Sequence, residues 1–270
     1  MPQASFIDGR TRMYAIVGDP IEQVKSPAAV SGEFQARGLN SVLFPLHLRA
    51  ADFDAAFPQI LKTQNLGGVV LTVPFKARAL PYAQHVGAQA RVMGATNIMA
   101  RRRDGTWAAD MLDGKGCVTA FRQRGYEIRG KNLMLIGLGG AGGAIGAAMA
   151  AEEPRAMRIH DLDPARCERM ARAIAAISPQ TRVTIGPPVA DDMDILLNAT
   201  PVGMLADARL PLEVTSLPRE LIVFDVVTIP EQTPLLSLAA ASGCRTVAGR
   251  EMMQAQVPKI VDFFLEQQQL

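Results

Sequence analysis

The chain has 270 residues, 49% of them hydrophobic and 20% charged, enough for one large or two medium globular domains with ample core. Its 28 Lys and Arg nearly balance its 26 Asp and Glu, so no overall field draws in nucleic acid or an anionic membrane surface. Cys117, Cys167 and Cys244 are widely spaced with no Cys-x-x-Cys pair, so neither a disulfide framework nor a zinc site is indicated and no metal is expected. Along the chain, Met1–Arg12 carries Asp8, Arg10 and Arg12 and no apolar run. No secretory leader is expected there, and the compartment is read as the cytoplasm. Tyr14–Val17 reads as a short strand closed by Gly18-Asp19-Pro20. Ser26-Pro27 looks like an N-cap followed by a proline at the first helical position, opening a helix that stops at Gly38. Val42–Leu46 reads as a strand, Asp52–Leu61 as a helix capped by Asp52, and Gly68–Val73 as a strand ended by Pro74. Ile98–Ala100 and Trp107–Ala109 read as a hairpin around Asp104-Gly105, with Arg101-Arg102-Arg103 as the solvated end of a strand. The alternation predicts an α/β domain with a largely parallel sheet.

Asp113–Arg124 is then a predicted helix leading into the most telling stretch, Leu133–Asp161. Leu-Met-Leu-Ile reads as a buried strand, followed by Gly137-Leu-Gly139-Gly140-Ala141-Gly142, an Ala-rich helix, and a second strand ending at Asp161. Gly137 allows a tight turn, Gly139 a close approach of pyrophosphate to backbone, and Gly142 close packing of helix on sheet. The anion would sit on the free N–H groups of the helix N-terminus. Asp161 stands about twenty residues on, where a carboxylate hydrogen-bonds the adenosine ribose of NAD. Leu133–Ala151 is uncharged, which a hydropathy scan takes for a membrane span. Its glycines cluster at the first turn, however, and a charged strand follows at once. A βαβ unit whose glycines serve packing alone is the other plain reading, and Asp161 speaks against it. Further strands are predicted at Val183–Ile185, Ile195–Asn198, Ile222–Val227 and Thr246–Ala248, with helices at Pro164–Ile177 and Thr233–Ser242. Together they make a doubly wound sheet. Arg250–Gln269 is an amphipathic helix with Met252, Val257, Ile260, Val261 and Phe264 on one face.

Thr72, Lys76 and Asn97 stand at predicted strand ends, where ligands gather in α/β sheets. Asp113 opens a helix, where the dipole favours an acid. Singly, each has a plainer reading: a solvated loop lysine, a turn asparagine, an N-cap aspartate. Together with their flanking motifs, the chain resembles the shikimate dehydrogenase family over nearly its whole length. Gly18-Asp19-Pro20-Ile21 with Lys25-Ser26-Pro27, Thr72-Val73-Pro74-Phe75-Lys76, Gly94-Ala95-Thr96-Asn97 and Asp110 with Asp113-Gly114 carry the likeness. So do Asn198-Ala199-Thr200-Pro201-Val202-Gly203-Met204, Thr233-Pro234-Leu235 and Gln256. The resemblance implies an N-terminal α/β substrate domain over 1–112, a doubly wound Rossmann domain over 113–249, and a C-terminal helix, 250–270, returning to the first. It implies Lys76 and Asp113 as the catalytic pair in the cleft between domains, moving the hydroxyl proton while hydride leaves a secondary alcohol. Ser26, Thr72, Asn97 and Gln256 would hold the carboxylate and ring hydroxyls of the substrate. Gly137, Gly139, Gly140, Ala141, Gly142, Asp161, Asn198, Thr200, Val226 and Gly249 would hold the cofactor.

The departures from the family pattern are as informative. Val24 replaces the first of two serines, Val70 an asparagine, Met111-Leu112 an Asn-Thr pair, Thr228 a tyrosine, and Gly249-Arg250-Glu251 a Gly-Leu-Gly. A buried donor lost without replacement costs about 1–3 kcal/mol, so several such changes disfavour shikimate itself. NADP-dependent members carry Asn-Arg-Thr where this chain has Asp161-Leu162-Asp163, which implies NAD, with Arg158 and Arg166 near enough in sequence to offset part of the charge. The expected activity is NAD-dependent oxidation of a shikimate- or quinate-like cyclic hydroxy acid. A same-layout dehydrogenase on another substrate and a non-catalytic NAD-binding regulator remain alternatives. The expected partner is a small-molecule substrate, with no nucleic acid and no membrane. A homodimer is left open, since no sequence feature marks its face.

Overall fold

The computed structural model describes residues 7–270; the part of the leader reading that concerns residues 1–6 lies outside them. The chain divides into two compact units. One runs to Leu112 and resumes over Val257–Leu270, and the other is Asp113–Gln256. The first seven residues of the segment 250–270, which the sequence assigned whole to the first domain, thus cluster with the second.

In the first unit the elements are β1 (Arg12–Gly18), α1 (Ser26–Ala36), β2 (Ser41–His47), α2 (Phe53–Ile60), β3 (Leu66–Leu71) and α3 (Lys76–Ala79). Then come β4 (His85–Val86), α4 (Ala88–Met93), β5 (Ile98–Arg101) and β6 (Trp107–Asp110). They build a sheet of order β2-β1-β3-β5-β6-β4. β1 is parallel to β2 and β3, and its central residues are buried, as a strand covered on both faces requires. β5 is antiparallel to β3 and β6, so the sheet is mixed where a largely parallel one was predicted. The turn at Gly105, with φ +83°, makes β5 and β6 the predicted hairpin, and the antiparallel element enters the sheet where β5 pairs with β3. On one side of the sheet Phe53 stacks on Phe75 with centroids 4.3 Å apart and on Phe57 at 4.6 Å, over Val17, Val69 and Leu71. Elsewhere in the unit Tyr14 stacks on Phe264 at 4.4 Å, and a Cβ at Gly68 would overlap the Phe264 ring.

Two caps differ from the sequence reading. Lys25, in helical conformation and without a capping side chain, holds the N-cap position of α1, so Ser26 is its first helical residue. Asp52 holds the N-cap position of α2 but makes no cap bond; its carboxylate accepts from Arg49 Nε at 2.8 Å instead. Helix α1 does stop at Gly38, whose φ is +70°.

The second unit holds α5 (Asp113–Gln123), β7 (Asn132–Ile136), α6 (Gly140–Ala150), β8 (Ala156–His160), α7 (Pro164–Ile177) and β9 (Arg182–Ile185). It continues with β10 (Ile195–Asn198), β11 (Ile222–Asp225), α8 (Pro234–Ala241), β12 (Arg245–Ala248) and α9 (Gly249–Gln269), which ends in the first unit. The sheet order is β12-β11-β10-β7-β8-β9, and every pairing is parallel. This is the doubly wound arrangement the alternation predicted. Strand order reverses between β7 and β10, and ligands of such sheets bind outside the carboxyl ends of the strands at that switch point. The five apolar residues marked on α9 are all buried. Among the described residues no helix is long and apolar enough to cross a membrane.

Candidate active site

The loop between β7 and α6 lies at the switch point. Gly137 has φ +89°, and a Cβ on it would come within 2.6 Å of the Thr200 methyl. Both the turn and the packing against the segment after β10 therefore demand glycine. A Cβ on Gly142 would overlap the Gly137 carbonyl oxygen, so only glycine lets α6 start this close to the strand end. Gly139, the N-cap of α6, behaves differently: nothing lies within 4 Å of where its Cβ would be. The opening turn of α6, Gly140 to Gly142, thus presents N–H groups that have no intrahelical acceptor, beside an uncrowded residue. That is the geometry a pyrophosphate requires.

Asp161 follows β8 directly. Its Oδ2 accepts from the Leu138 amide at 2.6 Å and its Oδ1 from the Asp163 amide at 2.9 Å. Arg166 Nη1 stands 3.6 Å from Oδ1, and the Asp161 side chain is 9% exposed. Burial pushes the Asp161 carboxyl up, but the amides of Asp163 and Leu138 and the Arg166 guanidinium outweigh it and hold the group below its ordinary range. A carboxylate offers about four lone-pair sites, so two amides leave capacity for hydroxyl donors. Arg166 also reaches Asp163 at 3.5 Å. Arg158 is engaged elsewhere, donating to the Pro187 carbonyl at 2.9 Å. Leu162 is 94% exposed.

Beyond the switch point, Asn198 is fully buried. Its Oδ1 accepts from the Thr200 amide at 3.1 Å and hydroxyl at 2.7 Å, and the Val226 amide donates to its backbone carbonyl at 2.9 Å. Gly249 packs so tightly that a Cβ would come within 2.6 Å of the Val227 carbonyl oxygen. Asn198, Thr200, Val226 and Gly249 therefore gather with the glycine loop at one end of the sheet. Asp225, which lies within a predicted strand, and Thr233, which opens a quoted motif, are buried among them. Nothing local in the sequence marks their role, because their partners lie on other loops.

In the same unit Asp113 opens α5, and Gln256 Nε2 donates to its Oδ1 at 3.0 Å. Both side chains are buried. The approach depends on Gly116, where a Cβ would lie 3.1 Å from the Met252 carbonyl oxygen.

The first unit gathers a second group at the carboxyl end of β3. The Thr72 amide donates to Val17 at 3.0 Å, and Lys76, half-buried, opens α3. Because β5 runs antiparallel to β3, the start of β5 lies beside the end of β3, which brings Asn97 to Thr72 and Lys76. Asn97 is buried, and its Oδ1 accepts from the Leu112 amide at 2.8 Å. Thr96, which the sequence reading left without a role, is fully buried and donates its amide to the Lys76 carbonyl at 2.8 Å. Arg78 was also missed. It donates to the Ala50 carbonyl and to Asp54, both at 2.7 Å, and lies 4.9 Å above the Phe53 ring. Ser26 sits half-buried at the start of α1.

The departures have structural occupants. Val70, Met111 and Leu112 are buried apolar side chains, and Val24 is half-buried. Glu251 accepts from the Ala248 amide at 3.0 Å and pairs with Arg124 at 2.6 Å, while Arg250 pairs with Glu231 at 3.1 Å.

Comparison with known proteins agrees with this architecture. Residues 16–99 match the model of the shikimate dehydrogenase substrate binding domain. Shikimate dehydrogenase (NADP(+)) of Streptococcus sanguinis strain SK36 is 31% identical over 261 residues, covering 93% of this chain and 90% of that protein. Quinate dehydrogenase from Corynebacterium glutamicum, solved in complex with NAD, is 25% identical with a TM-score of 0.83, covering 95% of this chain and 94% of that one. The ligand-free 5-ketofructose reductase of Gluconobacter sp. strain CHM43 is 25% identical with a TM-score of 0.82, covering 97% and 95%.

Proposed function

The chain belongs to the shikimate dehydrogenase family, and from that premise we propose that it oxidises a secondary alcohol of a shikimate- or quinate-like cyclic hydroxy acid with NAD. The observation that carries the reading is the six-stranded parallel sheet with an uncrowded helix start at its switch point and Asp161 just past the neighbouring strand. When bound, the oxidised nicotinamide supplies the hydride acceptor. Lys76 takes the hydroxyl proton on its Nζ as the carbinol C–H bond breaks, so the alcohol becomes a ketone with both hydrogens accounted for. Asp113 balances the charge that Lys76 carries through this step. Gln256, bonded to Asp113, orients the substrate together with Ser26, Thr72 and Asn97.

NAD is favoured over NADP by charge. A 2′-phosphate beside Asp161 meets a carboxylate, and like charges about 4 Å apart repel by several kcal/mol even at an effective dielectric near 20. Arg166 offsets part of this, and it is already shared between Asp161 and Asp163. The Streptococcus relative is named for NADP(+), and the Corynebacterium quinate dehydrogenase was solved with NAD, so both choices occur among proteins of this likeness.

A second reading has its own observation. Val24 and the buried Val70 replace polar side chains, and a protein similar in fold reduces 5-ketofructose by name, so a polyhydroxy substrate without a carboxylate is the alternative. Incubation with each cofactor and a panel of cyclic hydroxy acids and sugar alcohols, with the ketone identified by mass, tests both. Turnover of a hydroxy acid supports the first reading, turnover of polyols alone transfers the site to the second, and no turnover at all contradicts both.

A further inference from the structure

Asp225 closes β11 with a carboxylate that is 0% exposed. A buried charge is costly unless its lone pairs are met, and here three donors meet it. Thr233 Oγ1 donates to Oδ2 at 2.7 Å, while the Val227 amide and Asn198 Nδ2 donate to Oδ1, each at 3.0 Å. The direction of the last bond is fixed. Asn198 must aim its oxygen at the Thr200 amide, an obligate donor, so its NH2 faces Asp225. The Thr233 hydroxyl also accepts the Leu236 amide at the start of α8, so it links the carboxylate to that helix.

These bonds run outward to the cofactor side of the sheet. Asn198 holds Thr200, and Thr200 lies against Gly137 of the dinucleotide loop. Val227 is turned by Asp225, and the Val226 and Val227 carbonyls form the floor on which Gly249 packs. We propose that Asp225 is a positioning residue for the dinucleotide site, setting the segments after β10 and β11 and, through Thr200, the height of the glycine loop. It touches neither substrate nor cofactor. The proposal rests on the reading of this unit as a nicotinamide dinucleotide site and adds to it the part that fixes the site's shape.

Asp225→Asn tests it. The new NH2 group either faces the Val227 and Asn198 donors or turns the Thr233 hydroxyl from donor to acceptor, so the network loses or rearranges a bond while size is kept. Direct fluorescence titration of NADH and NADPH on wild type and variant, well below the unfolding temperature of each, gives the dissociation constants. The expected result is at least a tenfold rise for the preferred cofactor, with the hydroxy-acid KM at saturating cofactor changed by less than about twofold. Thr233→Val removes one donor and serves if Asp225→Asn does not fold, and Thr233→Ser, which keeps the hydroxyl, should restore wild-type affinity. Unchanged cofactor affinity in a folded Asp225→Asn or Thr233→Val protein overturns the positioning role. Wild-type protein that binds neither dinucleotide overturns the reading beneath it as well.

Discussion

At Asp161 two backbone amides and one guanidinium converge on a single carboxylate, and the proposed preference for NAD rests on that balance. Asp161→Asn combined with Leu162→Arg removes the charge that repels a 2′-phosphate and adds a donor where the exposed Leu162 now stands. The expected outcome is a shift of kcat/KM toward NADP by more than tenfold, about 1.4 kcal/mol, read by initial rates with both cofactors. Removing Arg166 alone should weaken NADP further while leaving NAD within about twofold. Acid sensitivity follows from the same contacts. The folded Asp161 carboxyl is held below its ordinary value, so its stabilising effect is present above the unfolded value, near 3.9, and is lost as pH falls through the lower folded one. Asp161→Asn should therefore flatten the acid limb of the stability curve. Lys76→Ala should lower kcat by about 10²–10⁴-fold with dinucleotide affinity nearly unchanged. A variant that keeps most of its kcat removes Lys76 from the proton transfer. The places of Asp161 and Lys76 in the fold were legible because each stands at a fixed offset from a turn or strand end. Thr96, Arg78 and Asp225 were not, since their meaning lies in partners remote in sequence.

The strand–turn–helix element of β7 and α6 gives a sharper test than any single polar residue. Gly142→Ala places a methyl against the Gly137 carbonyl, a backbone atom that cannot swing aside, so it should cost about 1–3 kcal/mol of stability. Gly139→Ala has open space and an ordinary backbone conformation. It should leave the thermal midpoint almost unmoved yet raise the cofactor dissociation constant about tenfold or more, because the methyl stands where pyrophosphate approaches. Equal losses of stability in the two variants would mean that the glycines serve packing alone. This element was readable in advance because its glycines, apolar strand and terminal acid fall in register. The short α3, β4 and α4, of four, two and six residues, carry too little periodicity to be seen. The reversed direction of β5 was also hidden, because the pairing of a hairpin's strands with the rest of the sheet is not a local property.

Across the whole chain, the alternation of strands and helices announced both sheets. In the second, α6, α7 and α8 join β7 to β8, β8 to β9 and β11 to β12, as parallel pairing needs, while residues 199–221 cross from β10 to β11 without a helix. What alternation does not carry is substrate identity, on which the proposed reading assigns weight to Val24 and Val70. Shikimate should be a poor substrate, and Val24→Ser with Val70→Asn should raise its kcat/KM only in part, since Thr228 and Arg250-Glu251 remain changed. Wild-type turnover of shikimate at ordinary enzyme efficiency would refute that expectation. The central claim, hydride transfer from a ring carbinol to NAD, is open to one direct measurement. The hydroxy acid found active is supplied with deuterium on its carbinol carbon, and the recovered reduced cofactor is weighed by mass spectrometry. The account predicts one deuterium on the cofactor per ketone formed, with labelled cofactor accumulating about 10²–10⁴-fold more slowly in Lys76→Ala. Ketone formed with the deuterium lost to water, or a reduced cofactor without label, would contradict it.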